Sequence, residues 1–339
     1  MQAKQDAWLA ILLGMVGGLI LFLVYSYLFR HYPNLPLTSY IPRILGNWIG
    51  YPVTFLYTLY FMYLASRVLR DFTDLLITST FPETPMVGIN LIMIALTMYA
   101  IYKGIETLAR TGEILFGVVA VFILLGYLFL FASGVVKMEN LAPVLENGWN
   151  PVLTTAFPLT LTFPFGEMIV FAMLLPYLNQ PKRGMQVGLY AAISSGLVLA
   201  VTAAINIAVL GTHIATTSIF PLLETAQKIN VGDFIQRLDA FVISMLIIGG
   251  FIKITLFFYA AVIGAADLFK LQNHRYLIGP TGIIILIASI KIASNLPEHL
   301  EVGLKIVPIY LHLPFQVGIP LLLLLVVFIR EHFHHSQGS

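Results

Sequence analysis

Long apolar runs separated by short polar punctuation set the pattern of this chain. Nine runs stand out, at roughly 7–29, 44–80, 86–103, 113–133, 152–178, 185–211, 234–268, 276–294 and 305–330. Each is close to or above the length of about 20 residues that a helix needs to cross a bilayer. Hydrophobicity within them is continuous, whereas barrel strands alternate over about 10 residues, so the pattern predicts helices. The breaks carry turn residues: His31-Tyr32-Pro33-Asn34, Phe81-Pro82-Glu83-Thr84-Pro85, Asn179-Gln180-Pro181-Lys182 and Ser294-Asn295-Leu296-Pro297. No polar segment is long enough for a soluble domain, so residues 1–339 are expected to form one all-α polytopic membrane domain. Two runs are overlong: at about 1.5 Å per residue, 44–80 reaches roughly 55 Å and 234–268 roughly 50 Å, against a hydrocarbon core of about 30 Å.

The fifth run is expected to break at its centre, in Thr160-Leu161-Thr162-Phe163-Pro164-Phe165-Gly166-Glu167. Pro164 has no backbone N–H and its ring clashes with the carbonyl four residues earlier. Gly166 tolerates non-helical angles, Pro158 precedes both, and Glu167 places a carboxylate near mid-membrane, where an unpaired charge is costly. Interrupted helices of this kind build the substrate sites of many secondary transporters. A structural proline kink with a paired or protonated Glu is the competing reading. Lys253, deep in 234–268, is the candidate partner, with Lys291 a weaker one. The pair either handles a ligand amine or a proton, or only holds the bundle together.

Composition agrees with the pattern: 59% of the 339 residues are hydrophobic, 10% are charged and mean hydropathy is +0.90. Cysteine is absent, which excludes disulfides and thiolate metal sites. No short apolar core followed by a cleavage site marks a signal peptide. Counting charges at the ends of the runs gives nine basic and four acidic residues on one side, seven basic and eleven acidic on the other. The basic bias places Arg330 and the C-terminus in the cytoplasm. Arg67 with Asp71 and Arg70 with Asp74 are spaced for pairing along one helix face, as a gate or docking surface or, more simply, as a salt-bridged helix end leaving the membrane. The segment 211–233, with His213, Pro221, Glu224 and Asp233, is a lid or an ordinary connection. The tail His332-x-His334-His335 has no acidic or thiol partner for a metal and reads as solvated. There is no phosphate loop, no Ser/His/Asp set, no carboxylate pair suited to catalysis and no basic surface for nucleic acid. Nothing implies an enzyme or a cofactor.

In order and spacing, several short stretches resemble the spore-permease family, the B subunits of spore germinant receptors, distantly related to amino-acid permeases. They are Lys4-Gln5-Asp6-Ala7-Trp8, Leu45-Gly46-Asn47-Trp48-Ile49-Gly50, Phe81-Pro82-Glu83-Thr84-Pro85, Gly104-Ile105-Glu106-Thr107-Leu108-Ala109-Arg110, Leu141-Ala142-Pro143-Val144-Leu145, Gly166-Glu167 and Gln236-Arg237-Leu238-Asp239-Ala240. The resemblance runs over essentially the whole chain. It implies a permease-type (LeuT-like) five-plus-five inverted-repeat fold. With four runs before residue 152 and five after, the first helix of that fold is expected to be absent. It also implies a spore inner-membrane sensor that binds a small nutrient, often an amino acid, and signals to A and C partner subunits. In related permeases the ligand sits at the unwound part of the helix matching 152–178, which singles out Thr162, Phe163, Pro164, Phe165 and Gly166 as contacts beside Glu167. An ion-coupled amino-acid transporter and a scaffold or water/ion conduit with a degenerate site are the alternatives.

Overall fold

The computed structural model describes residues 3–231, 235–236 and 238–336. The helices are α1 Ala7–His31, α2 Leu37–Leu45, α3 Asn47–Ser79, α4 Met86–Lys103, α5 Ile105–Ala132, α6 Asn150–Thr155, α7 Phe171–Leu174, α8 Pro181–Thr217, α9 Pro221–Gln227, α10 Asp239–Phe269, α11 Ile278–Lys291, α12 Leu296–Glu301 and α13 Ile319–Ser336. Between α9 and α10, Asn230–Val231 pairs antiparallel with Ile235–Gln236. Among the described residues seven helical stretches are long and apolar enough to cross a membrane. An eighth arises if His274–Lys291 and Leu296–Ile306, which meet at 108°, form one interrupted span. The protein is therefore a polytopic helical membrane protein.

Each of the nine expected runs contains helix, with shifted ends. The run at 44–80 is one long helix, the 33-residue α3, and the short α2 precedes it; Gly46, at φ 78°, separates the two, a conformation that costs glycine little. α3 is not among the seven, because tyrosines and threonines dilute its apolar half and Arg67, Arg70, Asp71 and Asp74 occupy the other. The fourth run starts earlier, at Ile105, and the sixth covers Pro181–Thr217 with a kink at Gly211.

α3 and α10 lie along each other at the centre of the bundle. The α10 face that meets α3 is lined by small side chains around Ala260, Ala261 and Gly264; a Cβ on Gly264 would lie 2.6 Å from Thr58 Oγ1. The far end of α10 is tied to α2, where Thr38 and Ser39 hydroxyls donate to Asp267 Oδ2 at 2.5 and 2.7 Å. α1 is clamped between α8 and the fifth run. Its Gly14 and Gly18, four apart, leave room for Thr160 and Phe165, and Gly188 of α8 receives the Phe22 ring. Small residues at this spacing let membrane helices approach closely where no hydrophobic effect drives them together. α5 is the opposite case, with only Leu108 and Leu130 buried.

Candidate functional site

The fifth run is broken where the prolines sit. α6 gives way to a π-helical turn over Ala156–Thr160, in which Phe157 adopts the extended angles φ −121°, ψ 124°. After a turn at Phe163 and Pro164 the chain continues as a 3-10 helix, Phe165–Val170, then α7 and a second 3-10 turn, Leu175–Tyr177. Proline removes donors and wider or tighter turns replace the α ladder, so backbone groups need other partners. Thr160 and Thr162 supply some of them. Thr162 Oγ1 donates to Pro158 O at 2.9 Å, and Thr160 Oγ1 donates to Ala10 O of α1 at 2.7 Å.

Glu167 is 6% exposed and faces α10, where Lys253 Nζ lies 2.6 Å from Glu167 Oε2. The same ammonium sits over the Phe163 ring, 4.3 Å from its centroid, and 5.9 Å from that of Phe257. The structure thus brings Phe163, Glu167 and Lys253 together. Lys291 is exposed at the end of α11 and the partner of Glu167 is Lys253. Phe165 turns away from this group and is buried against Gly18. Thr162 is spent on the local backbone, and Gly166 acts by having no side chain. A Cβ there would run into Gln316 Oε1 and lie 3.2 Å from Leu161 O.

Gln316 belongs to a second interrupted run that sequence reasoning passed over. Pro308 and Pro314 disturb the α ladder, and Pro308–Gly318 is π-helical. Phe315 O accepts from Tyr57 at 2.7 Å and Gln316 O from Tyr25 at 2.5 Å. The Tyr60 hydroxyl donates to His312 Nδ1 at 2.9 Å and accepts from Gln316 Nε2 at 2.8 Å. That assignment points Gln316 Oε1 toward Gly166, and this oxygen is buried without a hydrogen-bond partner. The missed signal was present: prolines in an apolar run beside His312 and Gln316, four residues apart.

The polar seam continues along α3. Asn295 caps α12 by accepting from Glu298 N at 2.9 Å, with Pro297 in the first turn, which sets α12 across α11. α12 presents the fully buried His299, whose Nε2 is 2.7 Å from Asp71 Oδ1. Arg67 donates to His299 O at 3.0 Å and packs against Gly303. The expected Arg67–Asp71 pairing is therefore replaced by contacts that reach across to α12. Arg70 and Asp74 do pair, at 2.8 Å, but both are buried and Arg70 also donates to Ala293 O, so this end of α3 is packed rather than a solvated exit. In the segment 211–233, α9 packs on α8 and α10. Asp233 and Arg237 lie outside the described residues, as do the side chains of His334 and His335.

Residues 1–297 match the model of the family described as spore germination protein. Spore germination protein KB of Bacillus subtilis (strain 168) is 45% identical over 338 residues, 99% of this chain and 91% of that protein. Spore germination protein YndE of the same organism is 24% identical over 296 residues, 86% of this chain and 80% of its own length. Spore germination protein XB of Bacillus anthracis is 26% identical over 260 residues, 74% of this chain and 69% of its own. With the order of motifs, the broken fifth run and nearly full-length similarity all agreeing, the chain belongs to the spore germination protein (spore permease) family.

Proposed function

We propose that this chain is the nutrient-sensing B subunit of a spore germinant receptor, binding a small amino acid at the break in the fifth run. The observation that carries the reading is Gln316 Oε1, a buried acceptor left without a donor beside Gly166, next in sequence to a carboxylate held by a single ammonium. Buried polar atoms normally find partners, so an acceptor facing a glycine at a helix break is suited to a ligand donor. A zwitterionic amino acid fits the chemistry. Its ammonium takes Gln316 Oε1 and Glu167, its carboxylate takes Lys253, and Phe163, now stacked on Lys253, closes over the side chain.

Lys253 stands on α10, and α10 lies along α3. Exchanging the partner of Lys253 shifts α10 against the broken run, and that movement is the signal passed to the A and C subunits. The same reading places nine spans in a permease-type inverted repeat in the spore inner membrane, with the C-terminus cytoplasmic. The names of the relatives, all spore germination proteins, support it over a transporter. The test is equilibrium binding of a panel of labelled L-amino acids to the purified chain in nanodiscs. At least one amino acid should bind saturably and lose about tenfold or more in affinity in Glu167→Gln, as expected for a lost charged hydrogen bond. It should not accumulate in proteoliposomes. Absence of any binder, or unchanged binding in Glu167→Gln, contradicts the reading; accumulation favours the transporter.

A further inference from the structure

A cavity of ≈ 260 Å³ lies among α5, α8, α9 and α10. Gly126 and Leu130 of α5, Asn206 of α8, Thr225 of α9 and Phe241 and Met245 of α10 are in its wall. It is separate from the Glu167 site: Phe241 and Met245 precede Lys253 by twelve and eight residues on the same helix, roughly 12–18 Å at the α-helical rise. α9 closes one side of it, and Gly126 is six residues from the end of α5. The cavity is partly open rather than enclosed, since Val198, Leu199 and Phe241 of its wall are exposed, and an apolar wall has no means of holding ordered water. A space of this size calls for an occupant.

Two features define that occupant. The lining is almost entirely carbon, and an apolar cavity of about 150 Å³ is known to hold benzene, so this one takes roughly ten non-hydrogen atoms. Within the wall, Thr225 Oγ1 and Asn206 Oδ1 are buried without partners, whereas the other polar pair, Tyr127 and Thr202, satisfy each other at 2.6 Å. Thr225 is 3% exposed. Rotation about one side-chain bond exchanges its methyl for its hydroxyl at the cavity surface. A ligand hydroxyl accepting from Thr225 in that rotamer would satisfy it.

We infer that this cavity is a second ligand site, for an uncharged amphiphile with an alkyl body of about eight carbons and a hydroxyl head. Such a ligand enters along α5, the least buried span, and braces α5 and α9 against the half of α10 that precedes Lys253. The inference stands apart from nutrient binding and is tested without it. The chain in nanodiscs is irradiated with a photoreactive diazirine analogue of octanol and the labelled peptides are mapped. Labelling should saturate, fall within 122–130 and 238–246, and be displaced by octanol more readily than by octane.

Gly126→Phe should abolish saturable labelling, since a Cβ at Gly126 meets nothing within 4 Å and the ring enters the cavity. Thr225→Val keeps the side-chain shape and should weaken octanol, but not octane, by about three- to tenfold, the worth of one hydrogen bond. Labelling that rises linearly with probe, spreads over lipid-facing positions, resists octanol, or persists in Gly126→Phe overturns the proposal. So does an equal response of octanol and octane to Thr225→Val.

Discussion

Two proline-interrupted runs face each other in this protein and use the same device differently. In the fifth run, Pro158 and Pro164 break the ladder and Gly166 leaves a bare backbone beside Glu167. In the last run, Pro308 and Pro314 produce a π-helical stretch whose carbonyls and side chains are largely satisfied by Tyr25, Tyr57 and Tyr60. The first run leaves Gly166 bare, and the second fills the space beside it with the unpartnered Gln316 Oε1. The two breaks are therefore not equivalent. What separates the two is whether neighbouring side chains already complete the freed groups.

That difference is sharpened most strongly at the ion pair. Lys253→Met leaves a buried carboxylate without its cation and should destabilise the protein by about 3–5 kcal/mol, while pairing it with Glu167→Gln should recover most of the loss. Unfolding midpoints of the two single variants and the double variant in one detergent check this; additive losses would deny a direct pair. Gly166→Ala should cost about 1–3 kcal/mol through overpacking against Gln316. Adding Gln316→Ala should relieve it, and a penalty that persists would place the strain elsewhere. The satisfied run should respond by a comparable amount or less. Tyr60→Phe removes the proton that His312 accepts and the oxygen that Gln316 reaches, for about 1–3 kcal/mol. Tyr57→Phe, which loses one bond to Phe315 O, should cost only about 0.5–1.5 kcal/mol by the same measurement.

The broken centre at 160–167 was legible because proline, glycine and a carboxylate coincide within an apolar run, and Lys253 because an intramembrane charge demands a partner. The pairing of Arg70 with Asp74 followed from helical spacing. Asp71 took His299 instead of Arg67 because α12 crosses there, a tertiary choice 228 residues away that spacing cannot reveal. The tyrosines on α1 and α3 stand in apolar runs, and only packing against a π-helical run turns their hydroxyls into a network. The short α2 ahead of Gly46 was also hidden, since a glycine needs a positive φ only once its neighbours have docked.

The central claim is that a polar nutrient binds between the two runs by separating Glu167 from Lys253. Single-particle imaging of the receptor with a bound amino acid tests it most directly. The account predicts ligand density bounded by Gly166, Gln316, Glu167 and Phe163, with Lys253 Nζ moved beyond hydrogen-bond reach of Glu167. Ligand density elsewhere, with the pair still closed at 2.6 Å, would contradict it.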